Sequence, residues 1–172
     1  MRMVARPTDE EHRTATVLEL FFDLCFVVAV AQAASALHDE VADGQVGHGV
    51  VGYATVFFAI WWAWMNFTWF ASAYDTDDVA YRLTTLVQIS GALILAAGVP
   101  DAMAGSDFAV ITLGYVVMRL AMVTQWLRAA GSDRPHRGSS LRFAAGIAAN
   151  AINLAIVGTL VFRHRSRPVR LA

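Results

Sequence analysis

Glu19 and Asp23 stand four residues apart in an otherwise apolar stretch, VLELFFDLCFVVAVAQAASAL, so both carboxylates share one helix face with Phe26, Val30 and Ala33. Carboxylates placed this way could exchange protons or take a cation, because like charges so close raise one another's affinity for a proton. Two arginines, Arg82 and Arg119, lie at the edge of or inside other apolar stretches. An ionisable side chain near the centre of a bilayer costs about 2.5–3.5 kcal/mol on insertion scales, so such groups turn inward and find partners. At about 1.5 Å of rise per residue from the inner end of each run, Glu19 lies about 3 Å deep, Asp23 about 9 Å, Arg119 about 12 Å and Arg82 about at the boundary. Asn66, Gln88 and Asn150 fall at about 10 Å by the same count. Depth matching pairs Glu19 with Arg82 and Asp23 with Arg119, while Tyr115, Met122 and Trp126 share the Arg119 stripe. The layer has two readings. One is a polar cavity in the inner half of the membrane that takes a small solute or ion. The other is a set of interhelical bonds that hold the helices in register. Spacing alone does not separate them.

The elements that carry these residues follow from the composition. The chain has 172 residues, 57% hydrophobic and 16% charged, with no lysine and a mean hydropathy of +0.50. Soluble domains are about 45–50% apolar and about 25% charged. The apolar residues gather into runs at about 17–37, 49–73, 82–99, 107–127 and 142–162, each close to the roughly 20 residues that span a bilayer as a helix. The expectation is an all-α, polytopic transmembrane bundle of about five helices at 17–162, with a solvated tail at 1–16 and an Arg-rich tail at 163–172. Arginines cluster in the first tail and in 128–141, which places the N-terminus in the cytoplasm. Glu19 and Asp23 argue against a cleavable signal peptide. Arg163, Arg165, Arg167 and Arg170 oppose a fifth crossing that would put them outside. Either a helix is miscounted, the fifth segment inserts poorly, or the chain is part of a longer protein.

Other features carry less. Trp61, Trp62, Trp64, Phe67, Trp69 and Phe70 read as packing plus an interfacial aromatic belt rather than a ligand cage. His38, Asp39, Glu40, Asp43 and His48 have no metal-ligand spacing, so no metal or other cofactor is expected. Cys25 reads as a small packing residue. No nucleophile arrangement stands out, which ranks enzymatic activity third. No basic, aromatic-interleaved surface supports nucleic-acid binding. The expected partners are the lipid bilayer and, through Ala29, Ala33 or Gly91, a second copy of the chain as a homo-oligomer.

The string ELFFDLCFVVAVAQ, Glu19 to Gln32, closely resembles the opening helix of the bacterial low temperature requirement A (LtrA) family, ELFFDLxFVxAxxQ. Trp69 to Leu83, WFASAYDTDDVAYRL, looks like the family's second conserved stretch, and YVVMRL with QWLR, from Tyr115 to Arg128, like its third. The ordered set covers about 14–128. The resemblance implies a multi-spanning membrane protein named for growth in the cold, with no established substrate or reaction. It singles out Glu19, Asp23, Gln32, Tyr74, Asp75, Asp77, Asp78, Arg82, Arg119 and Gln125. Family members are usually about twice as long, so the resemblance also implies an N-terminal half whose Arg-rich end departs from the expected continuation. Phe22-Asp23 with Phe26 and Ala29 is weakly similar to the first helix of the endosomal and lysosomal potassium-channel family, which keeps cation conduction in view. The expected function is movement of a small solute or ion, with Glu19 and Asp23 as exchanging groups and Arg82 and Arg119 as counter-ions. The alternative is a membrane scaffold or cold- and stress-adaptation protein whose buried charges are structural.

Overall fold

Thr16 opens the first long helix. Its hydroxyl accepts the backbone N–H of Glu19 at 3.2 Å, the first half of a T-x-x-E capping arrangement that satisfies an otherwise orphaned donor. The structure is a computed structural model that describes the backbone of residues 3–5, 15–105 and 107–165, and the side chains of all these except 4, 5, 75 and 154–165. Helix α1 runs Val17–Ala42 and α2 runs Val46–Ala73. The expected 38–48 connection therefore shrinks to three residues, because nothing from His38 to Ala42 breaks a helix. The reversal waits for Gly44, whose φ of 79° suits a residue without a Cβ.

Asp78 caps α3, Val79–Ala97, by accepting the Tyr81 N–H at 2.7 Å. A short helix α4, Val99–Met103, starts on Pro100 and ends before Gly105, where φ is 61°. Asp107 then accepts the Ala109 N–H at 2.8 Å and leads into α5, Ala109–Ser132. Helix α6, Arg137–Arg165, contains the whole expected fifth run, 142–162. Among the described residues α1, α2, α3 and α5 are long and apolar enough to cross a membrane. The all-α bundle stands, with six helices including the short α4.

Helix α1 packs on α2 and α3, α3 on α5, and α5 on α6, while α2 meets α5 only sparsely. The α3–α5 crossing is drawn tight by glycine. A Cβ on Gly114 would sit 2.4 Å from the Leu95 nitrogen, and one on Gly91 would sit 2.7 Å from Met118 Cγ. Close backbone approach through small residues is how helices gain packing contacts where lipid supplies no hydrophobic drive. Gly91 thus serves a contact within the chain. Phe22, Phe67, Phe70, Ile60, Leu95 and Met122 fill the interior, whereas Leu20, Leu24, Val27, Phe58, Leu83, Leu113 and Leu120 face outward. So much outward aliphatic surface matches a bilayer environment.

One departure concerns the start of the chain. Val4–Ala5, strand β1, pairs antiparallel with Tyr74–Asp75, strand β2, in the register Val4 to Asp75 and Ala5 to Tyr74. Met3 beside it is 2% exposed, inside a segment expected to be solvated. This ladder puts the start of the chain at the same end of the bundle as the α2–α3 connection. Arg2, Arg6 and Arg13, on which the orientation argument leaned, and Arg167 and Arg170, which opposed a fifth crossing, lie outside the described residues.

Candidate functional site

The depth-matched pairs do not form. Arg82, in the first turn of α3, reaches back to Asp77 with Nε and Nη2 at 2.7 and 2.6 Å, and both side chains are more than half exposed. A carboxylate five residues away on the connector wins over Glu19 on another helix, because it costs no burial. Glu19 is buried on α1. Asp23 accepts from the indole Nε1 of Trp64 on α2 at 2.7 Å, which takes it from Arg119. Gln32 is exposed on α1. Asn66 donates to the Trp62 carbonyl of its own helix at 2.6 Å. Gln88 is 1% exposed with its Nε2 unpartnered, close in sequence to the equally unpartnered Thr85 hydroxyl.

Of the family-motif residues, Tyr74, Asp75, Asp78 and Gln125 gather at the end of the bundle that carries β1 and β2. Arg128 on α5 donates to Asp78 at 2.8 and 3.0 Å and to Gln125 Oε1 at 3.1 Å. Gln125, fully buried, donates in turn to the Tyr81 carbonyl at 3.4 Å. Tyr74 meets the Ser140 hydroxyl of α6 at 2.9 Å and packs edge-on to Trp126. Asp75 joins through its backbone in the ladder. Burial pushes the Asp78 carboxyl up, but the Tyr81 N–H and the Arg128 guanidinium outweigh it and hold the group below its ordinary range. Asp77 is held low as well, by the hydrogen bond from Arg82. Arg128 was the member of this network that spacing did not single out. The signal was present in Asp78 at a helix start and Arg128 near a helix end on one side of the membrane.

Arg119 is different. It is 2% exposed in the middle of α5, and its Nη2 donates to the hydroxyl of Tyr115 one turn earlier. Its guanidinium carbon stands 4.3 Å from the centroid of that ring, a cation–π contact. Its Nε has no partner, and no described carboxylate pairs with it. Arg119 lines a cleft of about 560 Å³ whose other walls are Trp62, Asn66 and Trp69 of α2 and Arg142, Phe143, Gly146 and Asn150 of α6. The cleft exists because α2 leans on α1 while α6 leans on α5. Gly146 widens it, since a Cβ there would meet nothing within 4 Å. A second hollow of about 490 Å³ shares Trp62 and Asn150 and extends to Thr55, Thr112 and Tyr115. Among the described residues no carboxylate lines either. A third hollow, about 560 Å³ between α1 and α2, is almost wholly apolar apart from Asp23.

The sequence profile of the family described as "Bacterial low temperature requirement A protein (LtrA)" matches residues 14–169. The chain belongs to this family. The match carries the LtrA likeness past 128, through α6 and into the Arg-rich end, where a departure from the family was expected. A relative described as "Uncharacterized protein RA0937" from Rhizobium meliloti (strain 1021) is 28% identical over 116 residues, 67% of this chain and 27% of the relative. The chain thus spans well under half of that relative's length. No solved structure matches. LtrA membership and the apolar helices together make this an integral, multi-pass membrane protein. Within it, the motif residues Asp78, Tyr74 and Gln125 tie the helix ends together, and Arg119 stands on the cleft wall with no described carboxylate beside it.

Proposed function

We propose that this LtrA-family chain builds a solute site, and a part of a solute path, between α2, α5 and α6 of a bacterial inner-membrane protein with its N-terminus in the cytoplasm. The observation that carries the reading is Arg119, a cation 2% exposed on the wall of a cleft of about 560 Å³ with no described carboxylate to neutralise it. An unpaired buried charge costs several kcal/mol, roughly, and intramembrane ionisable groups are retained where they line a cavity or meet a solute. The volume falls in the range of about 300–1,000 Å³ that small-molecule sites occupy. Glu19 and Asp23 do not line this cleft. In this reading Asp23 fastens α1 to α2 through Trp64, and the solute site lies at the arginine-lined cleft rather than at the two carboxylates. The scaffold reading draws on the Asp78–Arg128–Gln125 network, whose partners are all satisfied within the bundle end.

Gly146→Leu tests the proposal, because a Cβ there meets nothing within 4 Å and a larger side chain takes up volume on the cleft wall. Proteoliposomes of the full chain would be mixed rapidly with hyperosmotic solutions of uncharged, cationic and anionic small solutes, and re-swelling followed by light scattering. The expectation is faster re-swelling for at least one solute class with the wild type and a return to protein-free rates with Gly146→Leu. Wild-type rates equal to protein-free rates for every class would leave the scaffold reading.

A further inference from the structure

We infer that the α2/α5/α6 cleft is an oxyanion site, with Arg119 as its deep cation and Arg142 as the cation at its mouth. The inference deepens the solute-site reading above and rests on the same cleft. Both charged groups on the lining are arginines, and among the described residues none is a carboxylate. A site meant for a cation or for proton exchange would show the opposite balance. Arg142 is exposed near the start of α6, and it has no ion-pair partner among the described residues.

The two charges are spaced along the cleft. Trp126 stacks on Phe143 with ring centroids 4.6 Å apart, which sets the register of antiparallel α5 and α6. Arg119 lies seven residues back along α5, about 10 Å deeper than that stack, at the level of Gly146 to Asn150. Arg142 adjoins the stack. A solute entering past Arg142 would therefore meet rising positive potential in a low-dielectric groove, the arrangement that concentrates counter-ions.

Guanidinium chemistry narrows the ligand. Its planar donors match carboxylate and phosphate oxygens, and Arg119 keeps its Nε free while Nη2 is engaged on Tyr115. That phenol lines the adjoining hollow, accepts from Arg119 and keeps its own proton. Asn150 adds an amide to the wall. The volume is many times that of a single water, so a polyatomic anion fits. The shared chemistry is a phosphate or carboxylate group, whether on a free solute or on the headgroup of an anionic phospholipid.

The test uses the purified full chain and its thermal unfolding midpoint, read by tryptophan fluorescence. One arm adds inorganic phosphate in neutral detergent against sodium chloride of equal ionic strength. The other compares nanodiscs of phosphatidylglycerol and phosphatidylcholine. A ligand of the folded state raises the midpoint as its concentration passes the dissociation constant. The expected result is a saturable rise in one arm, half-saturation at least tenfold weaker in Arg142→Gln, and no rise in Arg119→Gln. A rise with phosphate assigns the site to a free anion, and a rise with phosphatidylglycerol alone assigns it to lipid. No rise in either arm, or an equal rise in Arg119→Gln, overturns the inference. If Arg119→Gln does not fold, the exposed Arg142→Gln decides, and an unchanged half-saturation overturns it. Phosphate binding without solute flux would leave the site standing and sink the transport reading. Flux of uncharged solutes with no anion effect would do the reverse.

Discussion

Arg128 and Asp78, fifty residues apart, close one end of the bundle: a single Nη2 donates to both carboxylate oxygens at 2.8 and 3.0 Å. Asp78 also caps α3, so one side chain starts a helix and ties it to α5. Asp78→Ala should lower unfolding stability by about 2–4 kcal/mol, a lost cap plus a stranded partly buried guanidinium. Asp78→Asn should lose less, because the amide still caps. Chemical unfolding in mild detergent measures both. Arg82→Gln is the contrast, since its bond to exposed Asp77 is open to solvent, and its midpoint should match the wild type.

The same carboxylate sets an acid dependence. Asp78 is held below its ordinary range, so its contribution to stability is full above the unfolded carboxylate value of about 3.9 and fades as pH falls through the lower folded value. Unfolding midpoints of wild type and Asp78→Asn between about pH 7 and pH 2 should converge at the acid end. Curves that stay parallel would remove Asp78 from the acid response.

Asp23 and Trp64 should behave as a coupled pair. Trp64→Phe removes the donor and leaves the α1 carboxylate without its indole N–H, at a cost of about 1.5–3 kcal/mol. In Asp23→Ala with Trp64→Phe the combined loss should fall short of the sum by about 1 kcal/mol or more. Strict additivity would mean the 2.7 Å contact contributes nothing.

Glycines on two helices should respond in opposite ways. Gly114→Ala forces a Cβ against the Leu95 backbone at 2.4 Å and should part α3 from α5, costing about 1–3 kcal/mol. Gly146→Ala meets nothing and should raise stability by about 0.5–1 kcal/mol through helix propensity. Unfolding of the two variants side by side distinguishes packing from propensity.

The apolar runs were legible because their lengths match a bilayer. Height along each helix was legible too, since rise along a helix is a local quantity. The partners were not. Glu19 and Arg82 share a depth, but which carboxylate Arg82 meets depends on a competition with Asp77 on its own connector. Asp23 and Arg119 share a counted height as well, yet the rotation of α1 and α2 about their axes turns Asp23 to Trp64, and Arg119 bonds to Tyr115 one turn earlier on its own helix.

By itself the sequence determined the material and its order: LtrA motifs, long apolar helices, and charged groups at set heights in the membrane. Those follow from residue type and from spacing along one chain. Tertiary structure decided which charges pair and which is left over. The gap between α2 and α6 arises from which neighbour each helix leans on, a relation between segments more than sixty residues apart, far beyond the reach of local periodicity.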